Sequence, residues 1–547
     1  MKTVFKFFKG AFRSYRKEFA AALILALFSA AYGIFIPLAA KRFMELVSDN
    51  MQWTLLLQGA GVFVGLYLLQ TGLNVWFYRA LDRFGGLYMS HLSRKMEFTL
   101  QQGKLLDIRK KDESAIRNIL FTDVINIFSV VGHHIPLIVS SAILIVSLLA
   151  FLCLHDASAA LMISIASAVG IVISIFSKKS ITRASKAVNM KMKEYDSCCT
   201  EYIKMLPMVQ TNPLLEYYQK KTDRAVGSFI AASRKADIPI NLWNGFSSGY
   251  YSVFSILLSA VFVWPAAHKS VVDLVFFTLT AKIIIDESQK ASQLIQQIIR
   301  VLPSFYHAED VLSLRSANGA RELSESIHTI ELKDVAFSYA EKTEEVLRGI
   351  SCKFRKGDVI RVRGSNGSGK TTFYKLLTGL YQPASGTLKM NGVSVQELSR
   401  GALNRAVLYI NQDEKCLNET IRHYLHIISG KQIPDNTIQE WLNEVRLENT
   451  NAVISGNGDS LSGGQRKKLY VLKLLATVDR ASVIILDEIA AGMDQDTVAV
   501  LLRIVKRIAE AKDKIIFITE HGDPSNVWNS NLTFTLDHGL ANLTESV

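Results

Sequence analysis

Six long apolar segments recur within the first 295 residues, and they constrain the fold more than any other feature of the chain. They run over residues 18–40, 53–78, 127–154, 157–176, 240–264 and 271–295. Each has the roughly 20 residues that a helix needs to cross a bilayer core. In hydrocarbon the backbone must satisfy its own hydrogen bonds, so such segments predict helices. The composition agrees: the mean hydropathy is +0.19, with 49% hydrophobic and 20% charged residues. That excludes an intrinsically disordered chain, and 32 Gly with 10 Pro excludes a collagen-like one. The five cysteines (Cys153, Cys198, Cys199, Cys352 and Cys416) form no CxxC pair and are odd in number. Free, reduced thiols are expected, with the bulk of the protein in the cytosol.

Charge sets the orientation. The net charge of +13 suits nucleic acid or a membrane surface alike, but its placement favours the membrane. The short links 45–52 and 155–156 hold no Lys or Arg, and 265–270 holds only Lys269. The long links carry Arg79, Arg83, Arg94, Lys95, Lys104, Arg109, Lys110, Lys111 and Arg117 in one case, and Lys178, Lys179, Arg183, Lys186, Lys191, Lys193, Lys220, Lys221 and Arg224 in the other. Basic loops stay in the cytoplasm, so both termini are expected there, and Lys41 and Arg42 are the exception to the pattern. Topology thus explains the basic residues, and no nucleic-acid partner is expected. The first 17 residues interleave Lys and Arg with Phe and Tyr, and they predict a basic amphipathic helix lying on membrane lipid. The long links are poor in Pro and Gly, and they predict spans that continue as helices into the cytosol.

The texture changes near residue 327. Short β-rich runs at 330–332, 359–362, 407–410, 483–486 and 515–518 alternate with helical stretches. This predicts an α/β domain built on a mainly parallel sheet. The expected division is a transmembrane domain at 1–315, a polar linker at 316–326 and the α/β domain at 327–547.

Gly364-Ser365-Asn366-Gly367-Ser368-Gly369-Lys370-Thr371-Thr372 follows one of those strands and opens a helix. It fits the GxxxxGK[ST] phosphate loop, in which glycines let backbone amides face phosphate oxygens at a helix N-terminus. Lys370 then reaches the β- and γ-phosphates, and Thr371 offers its hydroxyl to Mg²⁺. The apolar run 483–486 ends in Asp487 and Glu488. Two carboxylates at the end of a buried strand are costly without compensation. Asp487 is expected to hold Mg²⁺, and Glu488 to polarise the attacking water.

Leu461-Ser462-Gly463-Gly464-Gln465 completes a set that resembles the ABC transporter family. The resemblance implies further roles, in chain order. Tyr339 matches the aromatic that stacks on adenine. Gln412 matches the glutamine that touches Mg²⁺ and the transmembrane domain. Asp494 matches the loop that crosses to the partner cassette, and His521 matches the histidine that contacts the γ-phosphate. The first half is similar to the six-span exporter type, with 112–124 and 205–213 at the positions of its two coupling helices. Three departures stand out: Lys467-Lys468 in the signature, Ala491-Gly492-Met493 before Asp494, and Arg363 before Gly364. No protease-like domain is expected before the first span.

The implied protein is an ATPase of the bacterial inner membrane that uses ATP and Mg²⁺. The resemblance implies an ATP site shared between two cassettes, the phosphate loop of one facing Ser462, Gly463, Gly464 and Gln465 of the other. One chain holds one cassette, so a homodimer is expected. For cargo, polar residues recur at helical spacing inside three spans: Gln70 and Asn74; Asn241, Asn244, Ser248 and Tyr251; and Lys282 and Asp286, continued by Lys290, Gln293 and Gln297. A polar cavity with both signs of charge suits a peptide or peptide-like natural product, exported by alternating access. The alternatives are a lipid, a lipid-linked sugar or a siderophore, import through the same fold, and an ATP-binding regulator that moves no cargo.

Overall fold

The computed structural model describes every residue except 1, 50–52, 110–112, 264–270, 315, 317–318, 324, 340–343, 413, 448–452, 520–527 and 547. The chain forms two compact units: Met1–Gln101 with Arg109–Leu314, and Gln102–Ile108 with Arg315–Val547.

The first unit is helical. The basic amphipathic segment forms α1 (Lys2–Ser14). It buries Val4, Phe7 and Ala11 in protein, where Phe7 meets Phe305 edge-on at 5.4 Å and Lys6 pairs with Glu309 at 2.6 Å. The expected membrane helix therefore keeps only part of its apolar surface free, with Phe5 65% exposed. There follow α2 (Arg16–Asp49), α3 (Trp53–Gln102), α4 (Leu105–Arg109), which up to Ile108 belongs to the second unit, α5 (Glu113–Asn118), α6 (Val124–Phe128) and α7 (Ile135–His155). Next come α8 (Ala157–Phe176), α9 (Lys178–Lys204), α10 (Leu206–Thr211), α11 (Leu215–Val263), α12 (Val271–Arg300) and α13 (Leu302–Leu312).

Among the described residues, three stretches are long and apolar enough to cross a membrane: Arg16–Val47, Trp53–Gln102 and Glu113–Leu154, whose 18-residue apolar windows have mean hydropathies of 2.3, 1.4 and 2.8. Each of the six apolar segments lies within or along a helix, and α3 and α11 run far beyond the apolar part, as the Pro-poor links predict. The expected short link 45–52 is largely helical, because α2 continues to Asp49; the expected link 265–270 lies outside the described residues. Short helices α5 and α10 occupy the two segments matched to coupling helices. The run from Glu113 to Leu154 contains π-helical turns at Ile119–Asp123 and Ser129–His134. A π turn adds a residue and rotates the side chains that follow. At the second turn Gly132 approaches Gly85 of α3 so closely that a Cβ on either would lie 2.8 Å from the other's Cα.

The second unit contains β1 (Thr329–Phe337), β2 (Leu347–Arg355), β3 (Val359–Arg363), α14 (Lys370–Leu377), β4 (Ser385–Met390), β5 (Val393–Ser394), α15 (Arg400–Ala406) and β6 (Val407–Ile410). It continues with α16 (Ile421–Ser429), α17 (Asp435–Glu444), α18 (Gly463–Thr477), β7 (Val483–Asp487), α19 (Gln495–Glu510), β8 (Ile515–Thr519), β9 (Leu532–Asp537) and β10 (Leu540–Glu545). The parallel sheet expected from the sequence runs β10-β9-β3-β8-β7-β6, with only β10 antiparallel. Every residue of β7 and β8 is buried, as the continuous apolar runs require. A second sheet, β2-β1-β4-β5, is antiparallel throughout and was not expected from the sequence. Phe354 of β2 packs 4.9 Å from Phe517, and Phe373 stacks on Phe534 at 4.8 Å, which joins the two sheets through one aromatic core. Residues 102–108 belong here: Gly103 bridges Ser316, and Leu105 and Leu106 pack on this core.

Candidate functional site

The phosphate loop leaves the C-terminal end of β3 and enters α14 at Lys370. Gly369 has φ +108°, and a Cβ there would lie 2.7 Å from Leu347 Cδ2, so only glycine fits. Lys370 is 7% exposed, and its ammonium donates to Gly364 O at 2.7 Å and Ser365 O at 3.2 Å. That holds the cation over the loop, where phosphate oxygens can take the place of the carbonyls.

The order β3-β8-β7 carries Asp487 and Glu488 to the same edge of the sheet. Asp487 is buried, and Tyr409 of β6 donates to its Oδ2 at 3.1 Å. Burial lifts the Asp487 carboxyl above its ordinary range, and the Glu488 charge adds to this, while Tyr409, Thr519 and Lys370 act against it. A divalent cation would compensate that buried carboxyl. Glu488 follows with φ +56°, a left-handed backbone that costs a non-glycine residue about 1–3 kcal/mol. The side chain so placed lines a recess of about 660 Å³.

The same recess is lined by Tyr339, by Asn366 through Thr372, and by Gln412, which follows β6. Tyr339 stands edge-on to Phe337 and Tyr381 at 5.1 and 5.8 Å, and its hydroxyl shares a 2.9 Å hydrogen bond with Thr372. The structure thus brings together a flat ring, a phosphate cradle, a lysine and a carboxylate. The oxygen-donor set of Thr371, Gln412 and Asp487 fits Mg²⁺. Gly364 and Ser365 form the loop's entry behind Lys370. His521 lies outside the described residues.

Ser462, Gly463, Gly464 and Gln465 do not line this recess. They form the exposed start of α18, where Ser462 accepts from Gln465 N at 3.2 Å and Gln465 Oε1 accepts from Ser462 N at 2.9 Å. Asp494 caps α19, accepting from Thr497 N and Oγ1 at 2.8 Å each, and these bonds hold its carboxyl below the usual range.

The first unit holds two adjoining polar recesses of about 430 and 370 Å³. Asn244, Gln293 and Gln297 line the smaller one, and Gln297 and Arg300 line both. Lys282 and Asp286 form an exposed pair at 3.5 Å on the α12 face that continues to Gln293 and Gln297. Asn241 is exposed on α11, and Gln70 and Asn74 are half-buried on α3; none of the three lines either recess. Ser248 and Tyr251 lie on α11, but their side chains are outside the described residues.

Residues 347–491 match the family model for the ABC transporter ATP-binding region, described as "ABC transporter", and residues 19–283 match the "ABC transporter transmembrane region". The chain belongs to the ABC transporter family. The match to its ATP-binding domain lies within the second unit, and ABC domains of this kind use ATP with Mg²⁺. Among its relatives, the β-(1→2)glucan export ATP-binding/permease protein NdvA of Agrobacterium fabrum is 25% identical over 58% of this chain and 56% of its own length. The α-hemolysin translocation ATP-binding protein HlyB of Escherichia coli O157:H7 is 27% identical over 51% of this chain and 41% of its own length. The ATP-dependent lipid A-core flippase of Burkholderia orbicola is 30% identical over 36% of this chain and 34% of its own length. The chain spans about half the length of the first of these relatives, 56% for NdvA. In fold it is similar to a bacterial Atm1-family ABC exporter solved with ATP bound, with a TM-score of 0.84 over 97% of this chain and 95% of the other, at 17% identity.

Within this ABC fold several residues escape a sequence reading. Tyr409 reads as one more strand residue, and its bond to Asp487 depends on strand order. Lys473 of α18 forms an ion pair with Glu414, whose carbonyl also accepts from Tyr470 Oη at 2.9 Å. Lys467 reaches Gln412 O at 3.4 Å. The signature helix is thereby tied to the segment after Gln412. In the first unit, Asn126, Ser129 and His134 enter the larger recess from the helical run containing the π turns. The Gly-His-His run at 132–134, inside an apolar segment, was the available signal.

Proposed function

We propose that the chain is one half of an ATP-driven exporter of the bacterial inner membrane that moves a peptide or peptide-like cargo out of the cytoplasm. The observation that carries the ATPase half is the single recess in which Tyr339, the phosphate loop, Gln412 and Glu488 meet. Tyr339 offers a ring to adenine. Lys370 exchanges loop carbonyls for the β- and γ-phosphates, and the loop amides hold their remaining oxygens. Glu488 orients water and accepts its proton, worth about 10²–10⁴ in rate. Thr371, Gln412 and Asp487 would hold Mg²⁺, which would neutralise charge on the phosphates.

Ser462, Gly463 and Gly464 are exposed and stand outside that recess. They supply donors for the γ-phosphate bound to a second copy, so the working unit is a homodimer in which each nucleotide joins two chains. Nucleotide affinity for the joined state drives alternating access. Both termini and the cassette are cytoplasmic, which the basic long links support.

The polar recesses support the cargo reading. Carboxamides from Asn126, Asn244, Gln293 and Gln297, together with Arg300 and Asp237, match the amides and termini of a peptide. A second reading is a glucan, because the same carboxamides bind hydroxyl groups and a relative is named as a β-(1→2)glucan exporter. The test is ATPase activity of the protein in nanodiscs across peptides, glucans, siderophores, lipid-linked sugars and added lipids. Stimulation by peptides is expected. A response only to glucan selects the second reading, and a response only to lipid refutes both.

A further inference from the structure

Where α8 gives way to α9, the chain passes from an apolar span to a basic helix in three residues. Phe176 and Ile175 end the apolar part and are 72% and 55% exposed. Lys179, Arg183 and Lys186 follow at spacings of four and three, which puts them on one helix face. These five residues and Thr182 line a recess of about 600 Å³. Its floor is aliphatic and aromatic, and its rim is cationic.

Two observations distinguish this recess from an ordinary solvated face. Among the described residues, none of the three cations has a carboxylate within ion-pair distance, whereas Lys191, further along α9, pairs with Glu194 at 2.7 Å. The Thr182 hydroxyl is buried without a hydrogen-bond partner, although a helical threonine ordinarily donates to a carbonyl one turn back. Three uncompensated positive charges and a spare hydroxyl beside exposed apolar side chains match one chemistry, an anion that carries a hydrocarbon chain.

We propose that this recess is a binding site for an anionic phospholipid of the cytoplasmic leaflet. Lys179, Arg183 and Lys186 hold the headgroup phosphate, rotation of the Thr182 side chain turns its buried hydroxyl to donate to one of the phosphate oxygens, and an acyl chain lies along Ile175 and Phe176. The position favours lipid over a free anion, because the apolar span ends at this level. A soluble phosphate leaves Ile175 and Phe176 uncovered. The site is separate from the polar recesses and from the nucleotide recess, since it shares no lining residue with them.

The experiment counts lipid and needs neither ATP nor cargo. The full-length protein is purified from nanodiscs of phosphatidylcholine mixed with phosphatidylglycerol, stripped with mild detergent, and retained lipids are measured by native mass spectrometry. Each cation near an anionic headgroup contributes about fivefold, so wild type should prefer phosphatidylglycerol by roughly a hundredfold. K179Q/R183Q/K186Q should bring that preference to within about twofold. Thr182 meets a phosphodiester that both lipids carry, so T182V should lower the retained amount of each about fivefold and leave their ratio unchanged. K506Q/R507Q/K512Q, at and just past the exposed end of α19 in the second unit, removes equal charge elsewhere and should leave both readouts unchanged. If the α9 triple variant is not recovered folded, the charge-keeping K179R/K186R and the single T182V carry the test: the first keeps the preference and the second lowers retention. Wild type with no preference, α9 and T182V variants indistinguishable from wild type, or an equal loss in the α19 variant would each overturn the assignment. So would displacement of the retained lipid by inorganic phosphate alone, which marks a plain anion site.

Discussion

Replacing Lys473 by methionine should destabilise the ATP-binding domain far more than removing an ordinary surface charge. Lys473 and Glu414 form an ion pair with side chains only 14% and 15% exposed. Removing the lysine leaves a carboxylate buried with no cation against it, which costs about 3–5 kcal/mol. For a domain of this size each kcal/mol moves the melting midpoint about 2–4 °C, so a fall of roughly 6–20 °C is expected. The double variant E414Q/K473M removes both charges and should regain most of that loss. The sign with pH is fixed as well. Burial raises the Glu414 carboxyl, and Lys473 pulls it down. Without Lys473 the one lowering influence left is a backbone hydrogen bond at Asn411, which burial outweighs, so the folded state of the variant holds its proton more tightly. Stability is then fully present in acid and is lost as pH rises through the raised value. The deficit relative to wild type should widen between about pH 5 and pH 8. Calorimetry of the detergent-solubilised full chain, with retained binding of a fluorescent ATP analogue as a second readout, measures all three quantities. A loss below about 1 kcal/mol, or a double variant as unstable as K473M, would refute the reasoning.

E488Q should lower ATP turnover about 10²–10⁴-fold while nucleotide still binds; equilibrium binding beside steady-state hydrolysis checks this, and near-normal turnover removes Glu488 from its role. D487N should raise the melting midpoint of the nucleotide-free protein at about pH 8, because burial lifts the wild-type carboxyl and its contribution is present in acid and lost as pH rises. The same variant should lose the extra stabilisation that Mg²⁺ gives with ATP, and thermal shifts with and without the ion test both statements. K370A and S462R should each abolish ATPase activity alone, yet mixed subunits should recover activity through the one interface that keeps both wild-type groups. No recovery in a tagged, purified heterodimer would argue that each chain completes its own site.

Residues that meet in the nucleotide recess were legible because each sits at the end of a short apolar run. Val359–Arg363 delivers the phosphate loop, Val483–Asp487 delivers the carboxylates, and Val407–Ile410 delivers Gln412. Parallel strands point their C-terminal ends to one side, so local pattern was enough to gather them. The antiparallel sheet was harder. Leu347–Arg355 includes Arg348, Lys353 and Arg355 on its outer face and a glycine at 349, which reads as a loop until its pairing with β1 is known. The π turns left no mark in the apolar periodicity, so the entry of Asn126, Ser129 and His134 into a recess could not be foreseen. On α12 the spacing alone grouped Lys282, Asp286, Gln293 and Gln297 on one exposed face. For α3 it could say that Gln70 and Asn74 share a stripe, but not which neighbours that stripe meets.

The short passage 102–108 changes how the molecule comes apart. Because Gly103 bridges Ser316 and Leu105 and Leu106 sit in the aromatic core of the second unit, the polypeptide travels between units three times rather than once. A protease that nicks the 316–326 stretch breaks a single strand of that connection. The two fragments should migrate together on a sizing column and separate only after denaturant frees the small clip between α3 and α5.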